Sequence, residues 1–260
     1  MKNNTIYWIS RLIDEEDKLY QSNTKDILDQ ISKLYLTTQR EILKELLALQ
    51  AYNRANNITA ISREIMLANT LTNVNKTIVL LANNMNNLLT TNLTNTYIQT
   101  YETVNDVLKN LGITPMDIVP ANIEEIIKAP WSGTSFSDRI WFNRDKLVFN
   151  AKDTISKGLI RGQSYHDMAT ELSKKMNSSY SNSRRLIETE TMVAQNKANI
   201  DNYKNNGIEK VEISAVLDSK CCSECQDHDG QIFDADKIQV YDCTVHPHCR
   251  CVTIPVIDIP

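Results

Sequence analysis

Hydrophobic positions recur every three or four residues through most of this chain, the spacing that gathers side chains on one face of a helix. From Thr24 the series runs Ile27, Ile31, Leu34, Thr38, Ile42, Leu46 and Leu49. Thr24 is placed to cap that helix, with Asp26 in the first turn where a carboxylate complements the helix dipole. A second series, Ile58, Ile61, Ile65, Ala68, Leu71, Val74, Ile78, Leu81, Met85 and Leu88, predicts another long helix. Its opposite face is rich in Asn and Thr, mediocre helix formers, so this helix must depend on packing. A third stretch with Val104, Val107 and Leu108 ends at Gly112, and Pro115 makes the stop firm.

The pattern breaks between residues 112 and 135, which hold three of the six prolines and two of the six glycines around a short Ile-rich turn, Ile123 to Ile127. A helix resumes at Phe136, with Leu147, Val148, Ala151, Ile155 and Leu159 on its apolar side. Ser164 and Asp167 form a variant capping box for a short helix through Met168, Leu172 and Met176. Ser181 or Ser183 opens the next helix, which Gly207 closes. From Val211 the texture changes, and residues 211–217, 231–233 and 252–256 read as short strands. The expected fold is mainly α with a small α+β module at the C-terminal end. It divides into a long-helix domain (1–111), a linker (112–135), a helical core (136–207) and a β-containing Cys/His module (208–260).

Composition sharpens this picture. All six glycines and all six prolines lie at or beyond Gly112, so the front of the chain lacks turn punctuation, which argues against a hairpin-rich architecture. The formal net charge of −4 excludes a globally basic nucleic-acid binder, yet residues 131–210 carry 13 basic and 9 acidic side chains. Within that segment Lys174, Lys175, Arg184 and Arg185 are candidate contacts to double-stranded DNA that would neutralise phosphates in a salt-dependent way. The competing reading of each is an ordinary solvated face. Arg11, Asp14, Glu15 and Glu16 interrupt the N-terminal segment, and the apolar run Ile78 to Ala82 is far short of the roughly 20 residues that span a bilayer. The expectation is a protein made and used in a cytoplasm, with no membrane partner.

Glu190 shares a helical face with Leu186 and Val193. A carboxylate there needs an arginine or a backbone donor, and reads as a buried ion pair fixing helix docking in preference to a catalytic acid or base.

All six cysteines and three of the four histidines fall between Cys221 and Cys251. Cys222 and Cys225 have the two-residue spacing that lets two thiolates reach one tetrahedral ion, and His246, Cys249 and Cys251 supply a second group about twenty residues later. Zinc held by Cys222, Cys225, His246 and either Cys249 or Cys251 is the leading assignment. A closed four-ligand set is structural, adding folding free energy to a module with little core of its own. A disulfide framework conflicts with the inferred reducing compartment. A dithiol redox centre wants its Cys-x-x-Cys at the start of a helix after a strand, where an acidic, Gly-containing loop is expected instead. A zinc deaminase needs an upstream His-x-Glu, and His166-Asp167-Met168 lacks the glutamate.

Taken in order, Trp131 to Ile140 (with Phe136 and Arg139), Gly162-Gln-Ser164, Arg185 to Glu190, Asp218, Cys222-x-x-Cys225, Asp229-Gly230 and His246-Pro-His-Cys249-Arg250-Cys251 resemble the head morphogenesis family of tailed-phage minor head proteins. The match covers roughly Trp131 to the C-terminus. It implies a non-enzymatic virion protein at the head interior or portal vertex, present in the host cytoplasm during assembly. The implied partners are the portal protein and other head components, in head assembly or in DNA packaging and ejection. In some relatives there is DNA binding without sequence preference, and no small-molecule substrate is implied. Some relatives carry a toxin-like enzymatic domain after the cysteine module; this chain runs only nine residues past Cys251, so none is expected. Two departures are the doublet Cys221-Cys222 and Glu188, where an arginine is more typical. No Gly-x-x-x-x-Gly-Lys-Ser/Thr loop is present, which excludes the packaging ATPase. A metal-dependent nuclease using Asp227, His228 and Asp229 is the alternative function, although Asp229-Gly230 also suits a tight turn. A sequence-specific regulatory DNA-binding protein is a third.

Overall fold

The computed structural model describes residues 2–55, 58–116, 122–219 and 221–257. The chain is mostly helical with a small three-stranded antiparallel sheet near its C-terminal end. In order, the elements are α1 (Lys2–Arg54), α2 (Ala60–Asn110), α3 (Ile123–Lys128), α4 (Phe136–Ile160), α5 (Tyr165–Asn205), β1 (Lys210–Ser214), α6 (Ser223–His228), β2 (Ile232–Asp234), α7 (Val240–Cys243) and β3 (Val252–Val256).

The helices are longer than the spacing of apolar residues predicts. Thr24, expected to cap a helix, lies buried in the middle of α1. The apolar series continues upstream through Leu12, and without Gly or Pro nothing stops the helix from extending. The predicted break at Ser181 or Ser183 is likewise absent. Ser181 Oγ donates back to Asn177 O (3.0 Å) and Ser183 Oγ pairs with Tyr35 Oη (2.9 Å), so neither hydroxyl serves as a cap. The second and third predicted helices are one, α2, and its apolar series marks a buried face from Val74 onward; Ile61 and Ile65 are exposed. By length and composition α2 is apolar enough to cross a membrane, while Val74, Ile78, Leu81, Met85 and Leu89 of the same helix are buried within the protein.

The predicted stops at Gly112 and Gly207 are present. Both adopt left-handed φ (84° and 71°), and the next residue closes a six-residue ring, Ile113 N to Leu108 O (2.9 Å) and Ile208 N to Tyr203 O (3.0 Å). The Ser164 cap is also formed, with Asp167 N donating to Ser164 Oγ (3.1 Å). Part of the predicted linker, residues 117–121, lies outside the described residues.

Two compact units are each assembled from separated segments. One comprises Met1–Ile27, Leu89–Phe136 and Arg185–Pro260; the other comprises Leu28–Leu88 and Ser137–Arg184. A helix the length of α1 extends about 80 Å at 1.5 Å per residue. The units therefore exchange along helices, whereas the sequence-based division at 111, 135 and 207 follows changes of composition. The second unit buries Ile31, Tyr35, Ile42, Leu46 and Leu49 of α1 with Val74, Ile78 and Met85 of α2, Ile140, Leu147 and Ile155 of α4, and Met168 and Leu172 of α5. Polar pairs fix its registers: Asn73 to Glu45 (3.1 Å), Gln39 to Ser173 (2.8 Å) and Asn53 to Tyr165 (2.8 Å).

The first unit holds the sheet, in the order β2-β1-β3, with Val211 opposite Phe233 on one side and Pro255 on the other. Its distinctive feature is a row of fully buried amides on α5: Gln195, Asn196, Asn199 and Asn202. Gln195 donates to Glu16 O on α1 (2.9 Å), and Asn202 donates to Tyr101 O (3.0 Å) and Asn105 Oδ1 (2.7 Å) on α2. Asn196 takes Thr253 N (3.0 Å) and donates to Cys251 O (2.9 Å), and Asn199 donates to Thr253 O (3.2 Å).

Beside this row the Glu16 carboxyl is buried without a cation near it among the described residues, and burial raises its pKa to about 8, an effect the nearby Asn199 side chain only partly opposes. The acid is held neutral at pH 7 in the folded state, while the unfolded chain ionises near pH 4.5. Between those values the folded state binds more protons, so this group's contribution makes stability fall as pH rises towards 8. Glu16→Gln is expected to raise the melting temperature at pH 8, by the equivalent of a few kcal/mol, and to give no such gain at pH 4, as read by thermal unfolding at the two pH values.

Candidate metal centre

Two short arms bring the cysteines together. On the first, Cys222 caps α6, its Sγ accepting the Cys225 N–H at 3.3 Å. The loop expected after this pair is thus a short helix, nucleated by the thiol cap. The arrangement of strand, cap and helix removes one ground for setting a dithiol centre aside. The cap lowers the Cys222 pKa, chiefly through that backbone N–H, as expected of a thiolate at a helix start.

The second arm is a turn. Cys249 N donates to His246 O (3.1 Å), Pro247 occupies the second position, and His248 at the third has φ 64°. Glycine is usual at such a position, and His tolerates it better than most residues. Here His248 is held from outside: its Nδ1 lies 2.6 Å from Glu188 Oε2, and its N–H donates to Thr189 Oγ1 (3.2 Å). Glu188, the departure from the family pattern, therefore clamps this turn onto α5.

Where the arms meet, His246 Nε2 lies 3.1 Å from Cys222 Sγ and 3.2 Å from Cys225 Sγ, and Cys225 Sγ lies 3.6 Å from Cys249 Sγ. Two triads result, Cys222/Cys225/His246 and Cys225/Cys249/Cys251, with Cys225 common to both. Metal–sulfur bonds of about 2.3 Å and metal–nitrogen bonds of about 2.0 Å set tetrahedral donor separations of about 3.5–3.8 Å. The three separations approach those edges, and each triad could hold an ion. The triads share only Cys225, so Cys249 and Cys251 are the alternatives for a fourth donor beside Cys222, Cys225 and His246. Cys249 is the more acidic, brought to about 5 mainly by the Cys251 thiol, which is pushed up in return. Burial pushes Cys225 up to about 12.

The remaining cysteines belong to neither triad. Cys221 is half-buried, and Cys243 is buried with its thiol on Val240 O (3.1 Å). Arg250 pairs with Asp218 (2.6 Å), joining the second arm to the approach to the first. The alternative set does not converge. Asp229 Oδ1 accepts Ala215 N (2.8 Å) and His228 Nδ1 faces Asp242 O (3.2 Å), and neither these two nor Asp227 belongs to a metal-binding triad among the described residues. Asp229-Gly230 serves the turn, with Gly230 at φ 75°.

Glu190 is buried and accepts the Trp131 indole N–H, 3.2 Å from each carboxylate oxygen. Lys174, Arg184 and Arg185 are exposed on α5 and Lys175 is half-buried there; Arg185 belongs to the first unit and the other three to the second. A cavity of about 630 Å³ lies in the first unit, lined by none of the cysteines. Its polar side chains already have protein partners: Tyr97 donates to Asp201 (2.7 Å), and Lys197 donates to Ile126 O (2.6 Å) and Ala129 O (3.1 Å). The amides of α5 escaped the sequence reading. Their signal is an Asn/Gln stripe at positions 195, 196, 199 and 202, which follows helical spacing as an apolar stripe does.

Residues 150–254, which take in the end of α4, all of α5 and the cysteine module as far as β3, match the family model described as "Phage Mu protein F like protein", a phage head morphogenesis family. Among individual proteins, the chain is similar to the NAD(+)--arginine ADP-ribosyltransferase EFV of Enterococcus faecalis, 28% identical over 156 residues that cover 52% of this chain and 31% of that protein. The chain thus spans about a third of the length of that relative. No solved structure matches.

Asn196 joins the module to α5 with hydrogen bonds to both sides of β3's leading end. Asn196→Ala leaves the Thr253 N–H and the Cys251 carbonyl buried without a partner, at about 1–3 kcal/mol each. The expected result is a melting temperature lowered by several degrees, with a smaller loss for the exposed control Asn205→Ala, measured by calorimetry on both variants.

Proposed function

We propose that this protein is a non-enzymatic minor head protein of a tailed phage, acting with the portal in head assembly or in DNA packaging and ejection, and carrying one structural zinc. The observation that carries the reading is the convergence of the resemblance residues on one place. Asp218 meets Arg250, Thr189 meets the His248 turn, and Cys222, Cys225, His246, Cys249 and Cys251 form two triads of metal-binding donors that share Cys225. The match of residues 150–254 to a phage head family supports the same reading.

When bound, zinc would supply cross-linking of the two arms and no reaction, since four protein donors complete its shell. Cys222, Cys225 and His246 would hold it, with Cys249 or Cys251 as fourth ligand. Zinc content by elemental analysis is expected at about one per chain, falling to near zero in Cys225→Ser and remaining near one in Cys221→Ser. A metal-free, disulfide-bonded protein would overturn the zinc assignment.

Portal association is tested by co-expression with the portal protein from the same genome; failure to co-purify would sink that part of the reading. The basic residues of α5 make DNA binding the associated proposal. Retention on double-stranded DNA should weaken steeply with salt and become weaker still in Lys174→Ala/Lys175→Ala. Magnesium- or manganese-dependent cleavage of plasmid DNA that is lost in Asp227→Asn or His228→Ala would favour the nuclease instead.

A further inference from the structure

Residues 161–164 join α4 to α5, so within the second unit the facing stretches of these two helices run antiparallel. Thr154 Oγ1 donates to Glu171 Oε1 (3.3 Å), which fixes the register and sets Asn150 beside Lys175 and Asn143 beside Asn182. A shallow groove of about 30 Å³ lies between them, with room for an oxygen of a bound anion. It is lined by Asn143, Lys146 and Asn150 of α4 and by Lys175, Ser178 and Asn182 of α5. Leu147 and Ser179 complete the lining, and the Ser179 hydroxyl is taken by Tyr35 Oη (2.9 Å). Each trio follows the spacing i, i+3, i+7, which holds it within about 60° of arc and spreads it over about 10 Å of helix.

The chemistry of this lining is one-sided. Each of the six side chains can donate a hydrogen bond, two carry a full positive charge, and no carboxylate lines the groove. Among the described residues none of the six side chains has a protein partner of its own. The neighbouring acids are engaged elsewhere: Asp145 with Arg144 (3.0 Å), Asp153 with Lys157 (2.8 Å) and Glu171 with Thr154. Residues 136–184 carry nine basic and five acidic side chains in a chain that has 28 and 32, so the surrounding field is positive as well. Lys, Ser and Asn side chains together are the donors that hold backbone phosphates of nucleic acids. A DNA strand advances about 3.4 Å per phosphate, so each trio spans about three successive phosphates. An acidic peptide would engage chiefly the two ammonium groups and leave the four neutral donors unused.

We propose that the α4–α5 groove is a phosphate site that holds the backbone of double-stranded DNA without reading its sequence. For its ligand the proposal rests on the DNA-binding part of the function proposed above. Its residues are different ones, since Lys174, Arg184 and Arg185 do not line the groove.

Fluorescence anisotropy of the full chain with a labelled duplex, titrated across salt concentrations, tests it. Lys146→Ala/Lys175→Ala is expected to flatten the plot of log affinity against log salt by about two, at 0.9 per phosphate contact. Lys33→Ala/Lys152→Ala removes the same charge outside the groove and should leave that slope unchanged. Asn143→Ala/Asn150→Ala/Asn182→Ala changes no charge and should weaken binding at least tenfold at unchanged slope and helicity. A control pair that flattens the slope equally, a neutral triple variant that binds as wild type does, or poly-glutamate that displaces the duplex at equal charge would each overturn the proposal. A wild-type chain that ignores the duplex at about 50 mM salt sinks the DNA-binding reading. In that case the ³¹P linewidth of inorganic phosphate decides for the groove. Broadening by wild type that is lost in Asn143→Asp/Lys175→Glu assigns it to free phosphate, and no broadening overturns the site itself.

Discussion

Four buried amide side chains on one face of α5 decide how the first unit is put together. An apolar helix face can slide by a turn against its neighbours at modest cost. An amide in the same place cannot, because each displaced hydrogen bond leaves a desolvated donor or acceptor behind. Gln195 recognises a carbonyl of α1, Asn202 a carbonyl of α2, and Asn196 and Asn199 the backbone of β3. Three elements far apart in sequence are therefore indexed to one helix, and the second cysteine arm, which leads directly into β3, is indexed with them.

The cysteine pocket depends on that arrangement. Cys225, Cys243, Cys249 and Cys251 belong to the same buried cluster as Leu12 of α1, Val104 and Leu108 of α2, Tyr203 of α5, and Val211 and Ile213 of β1. The C-terminal module is thus not a separate bead that a metal must hold together unaided. It draws its core from the helices, and its thiols are part of that core. The sequence suggests a module too small to bury much surface by itself, and the helices supply what it lacks.

Much of this was legible in the residues. The strands, the glycine stops at 112 and 207, the Ser164 cap and the two groups of metal donors follow from short-range chemistry, and all are present in the fold. What escaped depends on contacts between distant segments. Thr24 and Ser183 are good caps by type, but the first is buried in mid-helix and the second is bonded to Tyr35. Glu16 looks like one of several surface acids and is buried neutral. The helix at Ser223 was missed because its cap is a cysteine thiol in place of a hydroxyl or carboxylate. Which of Cys249 and Cys251 completes a metal shell is undecided by spacing, since the two lie on either side of Arg250 and both reach Cys225.

Strand β3 lies at the edge of the sheet, where unpaired backbone groups invite another strand. Thr253 turns both of its backbone groups away from β1, and side chains of α5 occupy them: Asn196 takes the N–H, and Asn199 and Tyr203 donate to the carbonyl. Two residues on, the next outward-facing position is Pro255, which has no N–H to offer. The edge is closed by side chains and by a missing donor. Along this strand the described residues thereby present little template for sheet growth or edge-to-edge aggregation.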